Sequence, residues 1–116
     1  MKDIKIKRLY DHKSADGSYR ILVDRLWPRG VKKTDLEFDE WNKDLAPSTE
    51  LRKRFNHKPE LFEGFTKEYK TELEAKTEEL NRIREIAATK DVSLLYGSRD
   101  PENNHAAVLK QVLTKK

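Results

Sequence analysis

A chain of 116 residues, 40% charged and 35% apolar, is long enough for one domain with one core, burying about two-thirds of its unfolded surface. Twenty-five Lys and Arg are interspersed with twenty-one Asp and Glu, and the net charge of +4 permits an anionic partner without demanding one. The lack of cysteine excludes disulfides, thiolate metal sites and cysteine nucleophiles.

"MKDIKIKRLY" alternates rather than forming a signal core, and no apolar run approaches the roughly 20 residues of a membrane span. A cytoplasmic protein without a membrane partner is expected. Ile4 and Ile6 alternate with Lys5 and Lys7, which predicts a half-exposed first strand. The turn-rich "DHKSADGS" (Asp11–Ser18) predicts a loop. Ile21, Leu22 and Val23 form an unbroken aliphatic run ended by Pro28 and Gly30. This is the pattern of a strand buried on both faces.

In "DLEFDEWNKDLAPS" (Asp35–Ser48), Leu36 and Phe38 alternate as in a strand, whereas Phe38, Trp41 and Leu45 step as in a helix. An extended piece followed by a helical turn is expected. Pro47 and Ser48 then open a short helix, with Pro in the first turn and Ser as its cap. Leu51 and Phe55 form its stripe. Pro59 starts the next helix. Phe62, Phe65, Tyr69 and Leu73 step by three or four, and Leu80, Ile83 and Ala87 resume the stripe after a gap at Lys76. One kinked helix, or two helices with Thr77 as a cap, both satisfy this pattern. Glu72 with Lys76, and Glu78 with Arg82, have the spacing of surface ion pairs.

"VSLLYGSRD" (Val92–Asp100) predicts a second buried strand. Asp100 and Pro101 form a cap-and-first-turn pair for a closing helix with Ala106, Leu109 and Leu113 inside. Strands and helices interleave. The expectation is therefore an α/β fold with a small, mainly parallel sheet flanked by helices, in a single compact domain over residues 1–116. Right-handed crossovers place the exits of the two buried strands on one edge.

Those exits carry the candidate chemistry. One supplies Asp24, Arg25, Trp27 and Arg29; the other supplies Gly97, Ser98, Arg99 and Asp100, followed by Asn104 and His105. Open α/β sheets bind ligands outside the carboxyl ends of their strands, and arginine recognises phosphate or carboxylate through paired N–H donors. The candidate is an anion pocket formed by Arg25, Arg29, Ser98, Arg99 and Asn104. Asp24 is the candidate base or arginine-orienting group, and His105 the alternative acid or base. The structural alternative is an ion network joining Asp24 and Arg25 to Arg99 or Asp100. Trp27 reads as a packing anchor and Trp41 as core. His12, His57 and His105 have no metal-ligand spacing, so no metal is expected. The Walker pattern and the G-x-S-x-G elbow are both missing. Lys32, Lys33, Arg52, Lys53 and Arg54 have acids close by in sequence and read as a solvated face.

"RILVDRLWPRG", "WNKDLAPSTELRKRF", "FTKEYKTEL" and "LLYGSRDPENNHAAVL", in this order, resemble the bacterial YeaO-like family. Matching positions include Asp24, Arg25, Trp27, Arg29, Trp41, Ser48, Tyr69, Asn104 and His105. The resemblance implies a compact cytoplasmic α/β protein of prokaryotic origin and no particular activity or cofactor. It also places Ser48 before a second helix, either facing the same cleft or simply capping. The leading expectation is an anion-binding domain for a nucleotide or phosphorylated metabolite. The alternatives are a nucleic-acid-associated module and a non-catalytic interaction domain.

Overall fold

The computed structural model describes residues 3–115. Four strands, β1 (Ile4–Arg8), β2 (Tyr19–Leu22), β3 (Glu40–Trp41) and β4 (Val92–Tyr96), form a sheet in the order β1-β4-β2-β3. Every pairing is parallel, with Ile6 and Ile21 both opposite Leu94. The helices are α1 (Thr49–Phe55), α2 (Phe62–Glu74), α3 (Thr77–Thr89) and α4 (His105–Thr114).

The strand order explains the layering. A right-handed crossover stepping one way along a sheet lies over one face, and one stepping back lies over the other. The connections β1 to β2 and β2 to β3 step the same way, and β3 to β4 steps back. That returning connection contains α1, α2 and α3. Ile4, Ile21, Val23, Val92, Leu94 and Tyr96 therefore join the apolar residues of the four helices in one core. The opposite face is covered by chain without α-helix, where Leu22 and Leu95 pack with Leu9, Val31 and Leu36 under Tyr10, Trp27, Phe38 and Trp41. All five residues of β4 are buried, as expected of a central strand with a layer on each side.

Arg20 fastens the second face. It is 1% exposed, and its guanidinium donates to the carbonyls of Glu37 (2.7 Å) and His12 and lies 3.3 Å from the Asp16 carboxylate. A buried arginine is tolerated because it is hydrogen-bonded and paired. Lys7 also pairs with Asp16. The bonds from Lys7 and then Ser18 hold the Asp16 carboxyl well below its usual range. At the other edge, two-residue β3 is held by charge. Arg82 on α3 donates twice to Glu40 (3.0 and 2.6 Å) and also binds Glu79, while the Tyr19 hydroxyl donates to Glu40 at 2.7 Å. Burial raises the Glu40 carboxyl, but the bonds from Arg82 and Tyr19 outweigh it and leave it lowered.

The helix boundaries differ from the sequence reading in instructive ways. Ser48 caps α1 by accepting from Leu51 N–H at 3.2 Å, and Pro47 precedes the cap instead of entering the first turn. Pro59 begins a 3₁₀ turn (Pro59–Leu61) that runs into α2. The α2–α3 region is two helices; Thr77 is the first residue of α3, and its hydroxyl donates back to the Glu74 carbonyl. Asp100 does not cap α4. It accepts from Glu102 and Asn103 N–H, both at 2.9 Å, closing a turn that delays the helix until Asn104 caps it. The expected surface pairs are also replaced: Glu72 binds Ser48, and Arg82 binds Glu40 across 42 residues and Glu79 one turn away on its own helix.

Candidate functional site

β2 and β4 run parallel, so their carboxyl ends emerge together. Val23 N–H still continues the ladder to the Leu95 carbonyl at 3.0 Å. Beyond it, the Asp24 Oδ2 accepts from Gly97 N–H at 2.9 Å and ties the two exits together. A Cβ at position 97 would sit 2.9 Å from that oxygen, with Tyr10 and Leu9 behind it. Glycine is what lets the carboxylate approach the backbone this closely.

His105, in the first turn of α4, places Nε2 3.0 Å from the Val23 carbonyl and 3.0 Å from Asp24 Oδ1. A carbonyl only accepts, so Nε2 carries the hydrogen in this bond. The hydrogen aligns with Val23, which leaves the buried Asp24 Oδ1 without an aligned donor among the described residues. The Asp24 and His105 side chains are 18% and 15% exposed.

Asn104 is 1% exposed. Its Oδ1 accepts from Ala107 N–H and its Nδ2 donates to the Asp100 carbonyl, each at 2.9 Å. These bonds make it a cap and a turn clamp. The Ser98 hydroxyl accepts from Asp100 N–H at 3.3 Å, and its carbonyl accepts from Arg8 Nε at 3.0 Å. Arg8 lies over the Tyr10 ring, whose hydroxyl donates to the Arg29 carbonyl at 2.8 Å. The Arg29 and Arg99 side chains are exposed and have no hydrogen-bond partner among the described residues.

Arg25 turns the other way. Its Nε donates to the Pro47 carbonyl at 2.8 Å and an Nη2 hydrogen to the Ala46 carbonyl at 3.2 Å. Carbonyls fix the guanidinium without neutralising it, and no carboxylate pairs with it among the described residues. Arg25 lines a cleft of about 350 Å³ with Asp44, Ser48, Tyr69, Glu72 and Lys76. In the same lining Glu72 accepts from Ser48 N–H (2.9 Å) and Ser48 Oγ (2.6 Å). The buried Tyr69 hydroxyl donates to the Leu45 carbonyl. Burial, with smaller contributions from Glu72 and Asp24, pushes this phenol far above its ordinary value. A shallower hollow of about 420 Å³ adjoins the cleft, sharing Asp44 and Lys76 and adding Glu78 and Glu79.

The expected constellation thus divides. Asp24, Gly97 and His105 meet at the strand exits. Arg25 meets Ser48 at the cleft. Arg29, Ser98 and Arg99 are not in the cleft wall, and Asp24 and Arg25 make no ion network with Arg99 or Asp100. Sequence reasoning missed Tyr69 and Glu72 as cleft residues. Tyr69 carried a signal, because a tyrosine in an apolar stripe needs a partner for its hydroxyl; Glu72 carried none. Among the described residues no group of three His, Asp or Glu is placed to hold a metal ion, and no helix is long and apolar enough to cross a membrane.

The family model described as the inactive DUF488-N3 subclade matches residues 3–116. The chain belongs to that family. It is similar to "Uncharacterized protein YeaO" of Escherichia coli, 47% identical over 107 residues, covering 92% of this chain and 93% of that protein. It is also similar to "Uncharacterized protein Rv3073c" of Mycobacterium tuberculosis and to "Uncharacterized protein Mb3100c" of Mycobacterium bovis. Each is 37% identical over 110 residues, covering 95% of this chain and 92% of the relative. The YeaO-like resemblance is thereby shown. No solved structure matches the chain.

Proposed function

We propose that this protein is a non-catalytic binding domain for a small molecule with an anionic group, a phosphate or carboxylate, received by Arg25 in the cleft against α2. One observation carries the reading: the Arg25 guanidinium is held by two backbone carbonyls and faced by no paired carboxylate. A fixed, unneutralised guanidinium keeps open N–H donors for a planar anion. The cleft volume is near the lower end for ligand sites, which suits a small metabolite better than a nucleotide.

Two observations support binding without chemistry. Asp24 and His105 each serve the backbone, at Gly97 and Val23, so they act as positioning groups for the strand exits. The matching family is itself described as inactive. The nucleic-acid reading has exposed Arg29 and Arg99 in its favour but lacks a stacking platform at Trp27. That ring packs against Trp41 and Phe38 and donates to the Val31 carbonyl.

The test is thermal protection by inorganic phosphate, ethyl phosphate and propionate, since a ligand that prefers the native state raises its stability. Protection is expected in the wild type and in Arg29→Ala, and is expected to be lost in Arg25→Ala. Arg25→Lys, which keeps the charge and one donor, covers the case in which Arg25→Ala fails to fold, and weakened protection is expected. Protection by no anion, or protection unchanged in both Arg25 variants, refutes the proposal.

A further inference from the structure

We infer that the ligand of this cleft is a small zwitterion, carrying an ammonium group as well as the anionic group. The inference rests on the Arg25 reading above and adds the second half of the ligand.

The cleft wall carries charges of both signs. Arg25 and Lys76 are cationic, and Glu72 and Asp44 are anionic. Opposite charges lining one small cleft would ordinarily close into an ion pair. Here they do not: among the described residues neither Arg25 nor Glu72 has an ion-pair partner. Arg25 is drawn back onto the Ala46 and Pro47 carbonyls, and Glu72 onto Ser48. Both anchors use neutral groups, so each holds a charge in place without cancelling it. The two anchors share one peptide group, since Arg25 bonds the Pro47 carbonyl and Glu72 the Ser48 N–H, which sets both charges beside the same point of the chain. Ser48 supplies two donors to Glu72, one to each oxygen, and a carboxylate offers about four acceptor positions. Acceptor capacity for an ammonium group is therefore left.

A plain anion at Arg25 would face Glu72 and Asp44, and a plain cation at Glu72 would face Arg25 and Lys76. A molecule carrying both charges meets each with its opposite, and like-charge juxtaposition discriminates against the others. The adjoining hollow adds Glu78 and Glu79 to the shared Asp44 and Lys76, with Glu79 already paired to Arg82. The structure therefore assigns the anionic group to the Arg25 end and the ammonium group to the side of Glu72 and Asp44. A volume of about 350 Å³ fits a compound the size of an amino acid or a phosphorylated amino alcohol.

The experiment is calorimetric titration of the full chain with two matched pairs, β-alanine against propionate and O-phosphoethanolamine against ethyl phosphate. Each pair differs by the ammonium group. The zwitterion of at least one pair is expected to bind about tenfold more tightly than its partner, a single favourable charge contact at partial exposure. Glu72→Gln is expected to abolish that preference from both sides, weakening binding of the zwitterion and tightening that of the plain anion, which no longer meets a like charge. Asp44→Asn, at an exposed position, is expected to reduce the preference and serves if Glu72→Gln does not fold. Equal affinities within both pairs, with binding still dependent on Arg25, overturn the zwitterion inference and leave the anion reading standing. Absence of binding by all four compounds overturns both. A preference unaffected by either acidic substitution also overturns the assignment.

Discussion

Asn104→Ala separates a structural asparagine from a ligand-binding one. The side chain is buried and makes two bonds, accepting from Ala107 N–H and donating to the Asp100 carbonyl, both at 2.9 Å. Loss of an N-cap costs about 1 kcal/mol. Loss of the amide donor leaves a carbonyl of the 100–104 turn without its partner, about 1 kcal/mol more. The expected total is roughly 2 kcal/mol, or a Tm lower by roughly 8 °C for a chain of this size. Asn104→Ser keeps a capping oxygen and loses the donor, so it is expected to recover about half of the loss. Urea and thermal unfolding of the three proteins measure this directly. If Asn104→Ala unfolds within about 0.5 kcal/mol of wild type but loses anion protection, the residue belongs to a ligand site and the capping argument is wrong.

Gly97→Ala is expected to cost about 2 kcal/mol, because the new Cβ would stand 2.9 Å from Asp24 Oδ2 and break a charge-assisted bond. In an Asp24→Ala background the same change is expected to cost under about 0.5 kcal/mol, and additive losses in the double-mutant cycle would refute the coupling. Alkaline pH is expected to weaken the fold through Tyr69, whose phenol burial raises far above its ordinary value. The unfolded chain releases this proton near pH 10 while the folded chain keeps it. Stability therefore falls with rising pH above about 10, by up to about 1.4 kcal/mol per pH unit from this residue. Denaturant melts from pH 9 to 11 on wild type and Tyr69→Phe test it, and identical slopes would contradict the reasoning.

Much of the fold was legible because periodicity reports burial. The aliphatic run at Ile21–Val23 and the VSLLY run at Val92–Tyr96 read as central parallel strands, and the stripes of Phe65, Tyr69 and Leu73 and of Leu80, Ile83 and Ala87 read as helix faces. Element ends were less legible: Asp100 read as the cap of the closing helix, but it closes a turn and Asn104 is the cap. The cleft was largely illegible. Arg25 looked like the partner of Arg29 because they are near in sequence, yet its direction is set by carbonyls at positions 46 and 47. Glu72 looked like half of a helical surface pair, yet Ser48, 24 residues earlier, captures it. Side-chain direction over such separations depends on tertiary packing, which local spacing does not encode.

The position of β4 between β1 and β2 has a consequence for how the molecule comes into being. Neither of the first two strands has its shared neighbour until residues 92–96 have left the ribosome. Until then β1 has no strand beside it and β2 has only the two-residue β3, so the sheet is completed by its central strand after a long loop has closed. Slow, concerted folding after synthesis is the expected outcome for such a topology, and a nascent chain halted before Val92 would expose two hydrogen-bonding edges at once.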